Sequence, residues 1–162
     1  MFAVYFVIST YTVLLIHELG HFVVARVLNV IVATVCVGIG PQLFKYIDAR
    51  GTSWHLRLFP VAAFCILDWG IKRGTNDDEP IGPKAKIAVL AGGPLVSLAS
   101  GWVLLNYSIF TGLPSVITFN GSIADALVIA GAFSISVGLF NSLPLPFLDG
   151  GQICREIVYG LK

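Results

Sequence analysis

The sequence has few charged residues: Asp, Glu, Lys and Arg make up 12% of its 162 residues, and the formal net charge is +1. Proteins that bind nucleic acid rely on a basic surface that neutralises phosphates, so no nucleic-acid partner is expected. Cysteine is also scarce. Cys36, Cys65 and Cys154 lie far apart among apolar neighbours, which favours neither a disulfide framework nor a CxxC metal site. We predict that all three are buried free thiols.

Hydrophobic residues, in contrast, make up 56% of the chain, and the mean hydropathy is +0.86. About 20 helical residues cross the hydrocarbon layer of a bilayer, and three apolar segments are long enough. The first has no basic residue before its apolar run and no clear cleavage site, so we expect a retained helix, not a signal peptide. The sequence therefore predicts one mainly α-helical, multi-pass domain over residues 1–162 in a lipid bilayer, with spans at about 2–27, 87–110 and 124–143.

The basic residues predict the orientation of these spans. One of the ten Lys and Arg residues, Arg26, is at the end of the first span. The other nine lie in the segment between the first two spans or in the C-terminal tail, and the loop 111–123 has none. Cytoplasmic loops of membrane proteins carry an excess of Lys and Arg. We therefore expect the N-terminus outside, the long loop and tail in the cytoplasm, and a location in the cell (inner) membrane.

The segment between the first two spans has a different pattern. β-Branched and aromatic residues alternate with polar ones over about 30–67, and turn residues occur at Asp48–Gly51, which predicts a small membrane-associated β hairpin or sheet. The polar stretch 73–84 is expected to be a linker. A short helix at about 152–160 is too short to span a bilayer. Small residues recur every four positions in the second and third spans, which favours close helix packing: Gly93, Ser97 and Gly101, and Ala126, Ala130, Ser134 and Gly138.

The stretch His17-Glu18-Leu19-Gly20-His21 places ionisable groups within the first span. On a helix, residues four apart project from one face, so His17 and His21 can share one metal ion. Imidazole suits zinc, and a catalytic zinc keeps an open position for water, beside which Glu18 can act as a base. A pair of histidines facing lipid headgroups is the alternative, but an unpaired carboxylate at this depth is costly. The pattern therefore favours a metal site.

A third zinc ligand has one good candidate, Asp149, in the stretch Asn141–Gln152 that closes the third span. The charge pattern brings this end and the histidine motif to the same side of the membrane. Asp149 could instead be the N-cap of the following short helix. His55 alternates with polar residues on the predicted hairpin, so we leave it outside the site.

Together these residues resemble the site-2 protease family of intramembrane zinc metalloproteases. That family has an HExxH motif in its first core helix and an N-x-x-P-x-x-x-L-D-G motif near the end of its third, which matches the stretch from Asn141 to Gly150 here. The resemblance covers essentially the whole chain as a three-helix catalytic core. It implies one Zn²⁺ per chain held by His17, His21 and Asp149, with Glu18 as the base.

The resemblance also implies that Asn141 lies near the site and contacts substrate or the developing oxyanion; a polar cap at the helix end is the alternative. Two departures from the family concern the substrate path. Ser97 stands where the family often has asparagine, and Ala62 and Ala63 stand where glycines are common.

The expected function is an intramembrane zinc endopeptidase that cleaves transmembrane segments of other proteins. A catalytically silent zinc-binding scaffold or sensor is the alternative, and Glu18 argues against it, because metal binding alone needs no base beside the histidines. A transmembrane helix must unwind before it is cut, and we expect the strands around Trp54 to Phe64 to receive the unwound segment as an added strand.

Overall fold

The computed structural model describes residues 2–70, 81–110 and 123–160. The predicted polar linker falls largely on 71–80, and the loop that we expect outside the membrane falls on 111–122, so both predictions lie mostly outside the described residues. Three long helices and two strands are followed by a short helix and a π-helical turn at Glu156–Gly160. Their bounds are α1 Phe2–Val27, β1 Ile31–Ile47, β2 Ser53–Asp68, α2 Pro83–Phe110, α3 Ile123–Asn141 and α4 Asp149–Arg155.

Each of the long helices contains a segment long and apolar enough to cross a membrane, at Ala3–Val27, Pro83–Tyr107 and Ala124–Asn141. This confirms the prediction of a mainly helical membrane protein with three spanning helices and a small sheet. α2 begins four residues earlier than expected, at Pro83, because proline suits the first position of a helix. α3 ends at Asn141 because Pro144 and Pro146 follow closely.

The sheet is more folded than a simple hairpin. β1 bends at Gly38 and Gly40, whose φ angles of 95° and 84° are poorly accessible to other residues. Before the bend, Val35 pairs with both Cys65 and Trp54, and Val37 with both Ala63 and Leu56. After the bend, β1 pairs with the start of β2. The first half of β1 is therefore an interior strand, flanked on both sides by halves of β2.

Two polar side chains of α1 attach the sheet to this helix. The Tyr11 hydroxyl lies 2.6 Å from the carbonyl oxygens of both Arg57 and Leu58, where β2 bends. At the cytoplasmic end predicted for α1, Arg26 bonds to Asp48 and to the buried Thr52 in the hairpin turn. Desolvation alone would raise the pKa of the Asp48 carboxyl, but hydrogen bonds from backbone amides and the charge of Arg26 outweigh it and lower that pKa. The sheet is thus fixed at two points.

An apolar core fills the space between the end of α1, the sheet and the start of α2. Its buried members come from all three of these elements and from the segments that join them, and Phe22 and Trp54 pack against it with ring centroids 4.9 Å apart. Burial of such side chains stabilises by roughly 1.5–3 kcal/mol each. The buried residues are Ala25, Val30, Val32, Val35, Ile81 and Val89.

Glycines set the distances between the three helices. A Cβ on Gly92 of α2 would lie 2.6 Å from the Gly20 carbonyl oxygen of α1, and one on Gly101 would lie 2.7 Å from the Gly131 carbonyl oxygen of α3. These separations are too short for any side chain. Of the small residues that recur along α2 and α3, Gly93, Gly101 and Gly138 each lie in close contact with a neighbouring helix. Membrane helices that associate by close packing require small residues at such crossings.

The crossing of α1 and α2 gives a testable expectation. Gly92→Ala forces the two backbones apart, so we expect a loss of about 1–3 kcal/mol, the usual cost of overpacking, seen as a lower unfolding temperature in detergent. Ala99→Val is the control, because it enlarges an exposed side chain on the same helix. Equal unfolding temperatures for the two variants would contradict the close crossing.

Candidate metal centre

The histidine motif lies in the second half of α1 and faces into the protein. His17, Glu18 and His21 have exposed fractions of 5%, 4% and 5%. The four-residue spacing places the two imidazole rings edge to face, with centroids 5.0 Å apart and their Nε2 atoms 3.3 Å apart. Both Nε2 atoms thus lie close to one point beside α1.

Asp149 reaches this point from the other end of the chain. Its Oδ2 atom lies 3.2 Å from His17 Nε2 and 3.3 Å from His21 Nε2. α4 begins at Asp149, three residues earlier than expected, and Leu148 is the N-cap, without a side-chain cap bond. Asp149 is therefore not the N-cap. Burial raises the pKa of its carboxyl, but the contacts with the two histidines outweigh that effect and lower the pKa, which favours the ionised form.

The three donor atoms have the spacing that zinc requires. Tetrahedral zinc with bonds of about 2.0 Å needs ligand atoms roughly 3.3 Å apart, and the observed separations are 3.2 Å and 3.3 Å. Two imidazoles and one carboxylate also form a donor set known for catalytic zinc, with one position left for water. The residues therefore fit this metal in both chemistry and spacing.

Glu18 and Asn141 line the cavity beside these donors. This cavity of about 180 Å³ is also bounded by one half of β2, at Ala63, Phe64, Cys65 and Leu67. A larger, mostly apolar groove of about 560 Å³ lies between α1, α3 and the same half of β2. His17, Glu18 and Asn141 line both the groove and the smaller cavity. Glu18 is thus placed beside the donor cluster, where the groove and the smaller cavity meet.

Asn141 and His55 occupy different positions relative to the donors. Asn141 lines the cavity, and its amide nitrogen donates a hydrogen bond of 3.0 Å to the Val137 carbonyl oxygen, one turn earlier in α3. This contact is compatible with both of its predicted roles, since an amide nitrogen has a second N–H. His55 lies on the hairpin, 2.9 Å from the Gln42 side chain and away from the donors.

The cysteines are free, but the prediction that all three are buried is correct only for Cys36. Cys36 is buried, Cys65 is half-buried and Cys154 is exposed on α4. Cys154 was expected to be buried because its neighbours in the sequence are apolar. A seven-residue helix at the edge of the protein, however, turns part of its apolar surface outward.

Two partners of the histidines were not found from the sequence. His17 Nδ1 lies 2.9 Å from Ser97 Oγ, and His21 Nδ1 lies 2.9 Å from the Val89 carbonyl oxygen, both on α2. Ser97 was noticed as a small residue in a packing stripe and as a departure from the family's asparagine, but not as a partner of His17. A backbone carbonyl such as that of Val89 leaves no signal in the sequence.

The model of peptidase family M50 matches residues 5–119 and 109–162, which together cover nearly the whole chain. The chain belongs to peptidase family M50. A solved structure of a site-2 protease from Methanocaldococcus jannaschii is similar, with a TM-score of 0.56 and 26% identity over 94% of this chain and 55% of that one. The expected kinship with site-2 proteases is thereby confirmed.

Curated relatives carry names of the same kind. A candidate zinc metalloprotease from Neisseria meningitidis is 27% identical over 97% of this chain and 36% of its own length. A second relative, from Clostridium perfringens, is 28% identical over 94% of this chain and 44% of its own length. A third, from Thermotoga maritima, is 30% identical over 64% of this chain and 22% of its own length. The M50 chain described here thus spans less than half the length of these relatives.

Proposed function

We propose that this chain forms the catalytic core of an intramembrane zinc endopeptidase, with His17, His21 and Asp149 as the ligands of one zinc ion. The observation that carries the proposal is the separation of 3.2–3.3 Å among the three donor atoms, next to a buried carboxylate. These residues would hold the ion, and zinc bound there would supply a water ligand with a pKa near neutrality and a Lewis acid for a peptide carbonyl.

Glu18 is the proposed general base and acid. Its carboxylate takes a proton from the attacking water and later delivers that proton to the leaving amide nitrogen. Asn141 keeps one N–H on the Val137 carbonyl oxygen, and its second N–H is available to the substrate or to the developing oxyanion. Glu18 is buried, and the exclusion of bulk water strengthens both its proton transfer and the hydrogen bond from Asn141.

The proposed substrate is a transmembrane segment of another protein, bound in the lipid bilayer. The groove beside Glu18 is mostly apolar, with Leu14, Phe133, Val137 and Phe140 in its walls, so it suits side chains that come from a membrane span. A helix hides its peptide bonds, and the substrate must therefore unwind before Glu18 and the donors can reach a carbonyl.

The unwound segment needs new hydrogen-bond partners. Among the described residues, one half of β2 has an edge that no strand pairs with. Leu56 is paired on both sides, with Val37 and Phe44, so the start of β2 is excluded as the edge that we expected from the sequence. Residues 63–68 pair with β1 on one side, and no described strand pairs with their other side. Because this half also lines the donor cavity, we place the added substrate strand here.

A comparison of membrane fragments from cells with the wild-type chain or Glu18→Gln tests the function. Fragments ending inside a transmembrane span are expected only with the wild-type chain. The proposed topology, with the donors towards the cytoplasm, further predicts cuts in the cytoplasmic half of that span. Cuts in the outer half would reverse the orientation, and identical fragment sets in both cell types would favour a silent scaffold.

A further inference from the structure

Both histidine rings contact α2 through Nδ1, the nitrogen that does not face Asp149. His17 Nδ1 contacts Ser97 Oγ and His21 Nδ1 contacts the Val89 carbonyl oxygen, each at 2.9 Å, and these α2 positions are eight residues, about two turns, apart. Between them, a Cβ on Gly93 would overlap the imidazole of His21. α2 thus offers a hydrogen-bonding atom to each ring and leaves room for one ring between the two.

The Val89 contact decides which ring nitrogen of His21 carries the proton. A carbonyl oxygen only accepts, so His21 Nδ1 must donate to Val89 and its Nε2 keeps a free lone pair. The serine hydroxyl can accept in the same way from His17 Nδ1. Both Nε2 lone pairs then face the point that they share with Asp149.

The Ser97 hydroxyl is not part of the contact between α2 and α3. Ser134 of α3 donates to the Ser97 backbone carbonyl oxygen at 2.9 Å and lies 2.9 Å from the Ser100 hydroxyl. Ser97 and Ser134 are both fully buried. The helix contact therefore uses the backbone of Ser97, while its side chain faces His17.

We propose that Ser97 is a positioning residue that sets the tautomer and ring orientation of His17 for metal binding. The inference rests on the proposed zinc site and adds to it a residue outside the ligand set. Partners that orient a metal-bound histidine typically contribute 10- to 100-fold in metal affinity.

Zinc affinity of the purified full chain in detergent, measured by competition with a chromophoric chelator, tests this proposal. Ser97→Ala is expected to weaken affinity about 10- to 100-fold, and Ser97→Thr, which retains a hydroxyl, to recover most of it. Ser134→Ala is the matched control: it removes a fully buried hydroxyl from the same cluster but does not contact His17. Its affinity should remain within about twofold of the wild type, well below the effect of a lost orienting partner.

Cobalt in place of zinc gives a second readout. The visible absorption bands of Co²⁺ report ligand geometry, and they should change in Ser97→Ala and not in Ser134→Ala. Equal weakening in both alanine variants would assign the effect to helix packing and overturn the proposal. Unchanged affinity and spectrum in Ser97→Ala would overturn it as well, while leaving the metal site intact. A wild-type chain that binds no zinc would instead refute the proposed centre itself.

Discussion

Purified Asp149→Ala protein is expected to lose zinc under conditions in which the wild-type chain holds about one ion. Asp149 supplies one of three donor atoms, and its Oδ2 lies within 3.3 Å of both histidine Nε2 atoms. Its loss leaves two ligands, fewer than the three that catalytic zinc sites use. We therefore expect a fall in affinity larger than the roughly 10- to 100-fold that an outer partner costs. Metal analysis and chelator competition measure it.

Asp68→Ala is the control for this experiment. Asp68 ends β2, is exposed, and bonds to the backbone amide of Gly70, so its loss removes a carboxylate without touching the donors. It should keep full zinc. His21→Ala should behave like Asp149→Ala. Full zinc in Asp149→Ala together with zinc loss in His21→Ala would remove Asp149 from the ligand set.

The Glu18→Gln variant should retain zinc and lose cleavage. Glutamine has nearly the same shape as glutamate but cannot accept the proton of the attacking water. General acid–base groups typically contribute 10²- to 10⁴-fold to a rate, so cleavage of a reconstituted single-span substrate should fall by about that factor. Zinc content should stay at about one per chain, because Glu18 lies outside the donor cluster.

Glu156→Gln provides the matched control for that measurement. Glu156 lies in the turn after α4, with its carboxylate 3.7 Å from the Lys86 ammonium and outside the donor cavity. The same chemical change there should leave cleavage nearly unaltered. Cleavage by Glu18→Gln at the wild-type rate would show that another group moves the proton.

The membrane helices and the donor residues were predictable because both have strong local signals. Three long apolar runs identify the helices. The four-residue spacing of His17 and His21 places both side chains on one face of a single helix. Asp149 could be added because its stretch ends a span on the same predicted side. These inferences need only sequence distance and helix geometry.

The sheet register and the partners on α2 could not be predicted for physical reasons. Alternation along β2 shows that it is a strand but not which half pairs twice, since that depends on the bend at Gly38 and Gly40. Ser97 has the same small size whether it packs or bonds to His17. Its role is visible only when α1 lies against α2.

The donor cluster joins residues that are 132 positions apart, since His17 belongs to the first helix and Asp149 to the last. A chain is synthesised from its N-terminus, so the two histidines enter the membrane long before the aspartate exists. During that interval α1 carries only two of the three proposed ligands. The proposed metal centre is therefore incomplete until α4 has been made and has docked. Under the proposed function, the chain can cleave no membrane protein before that step.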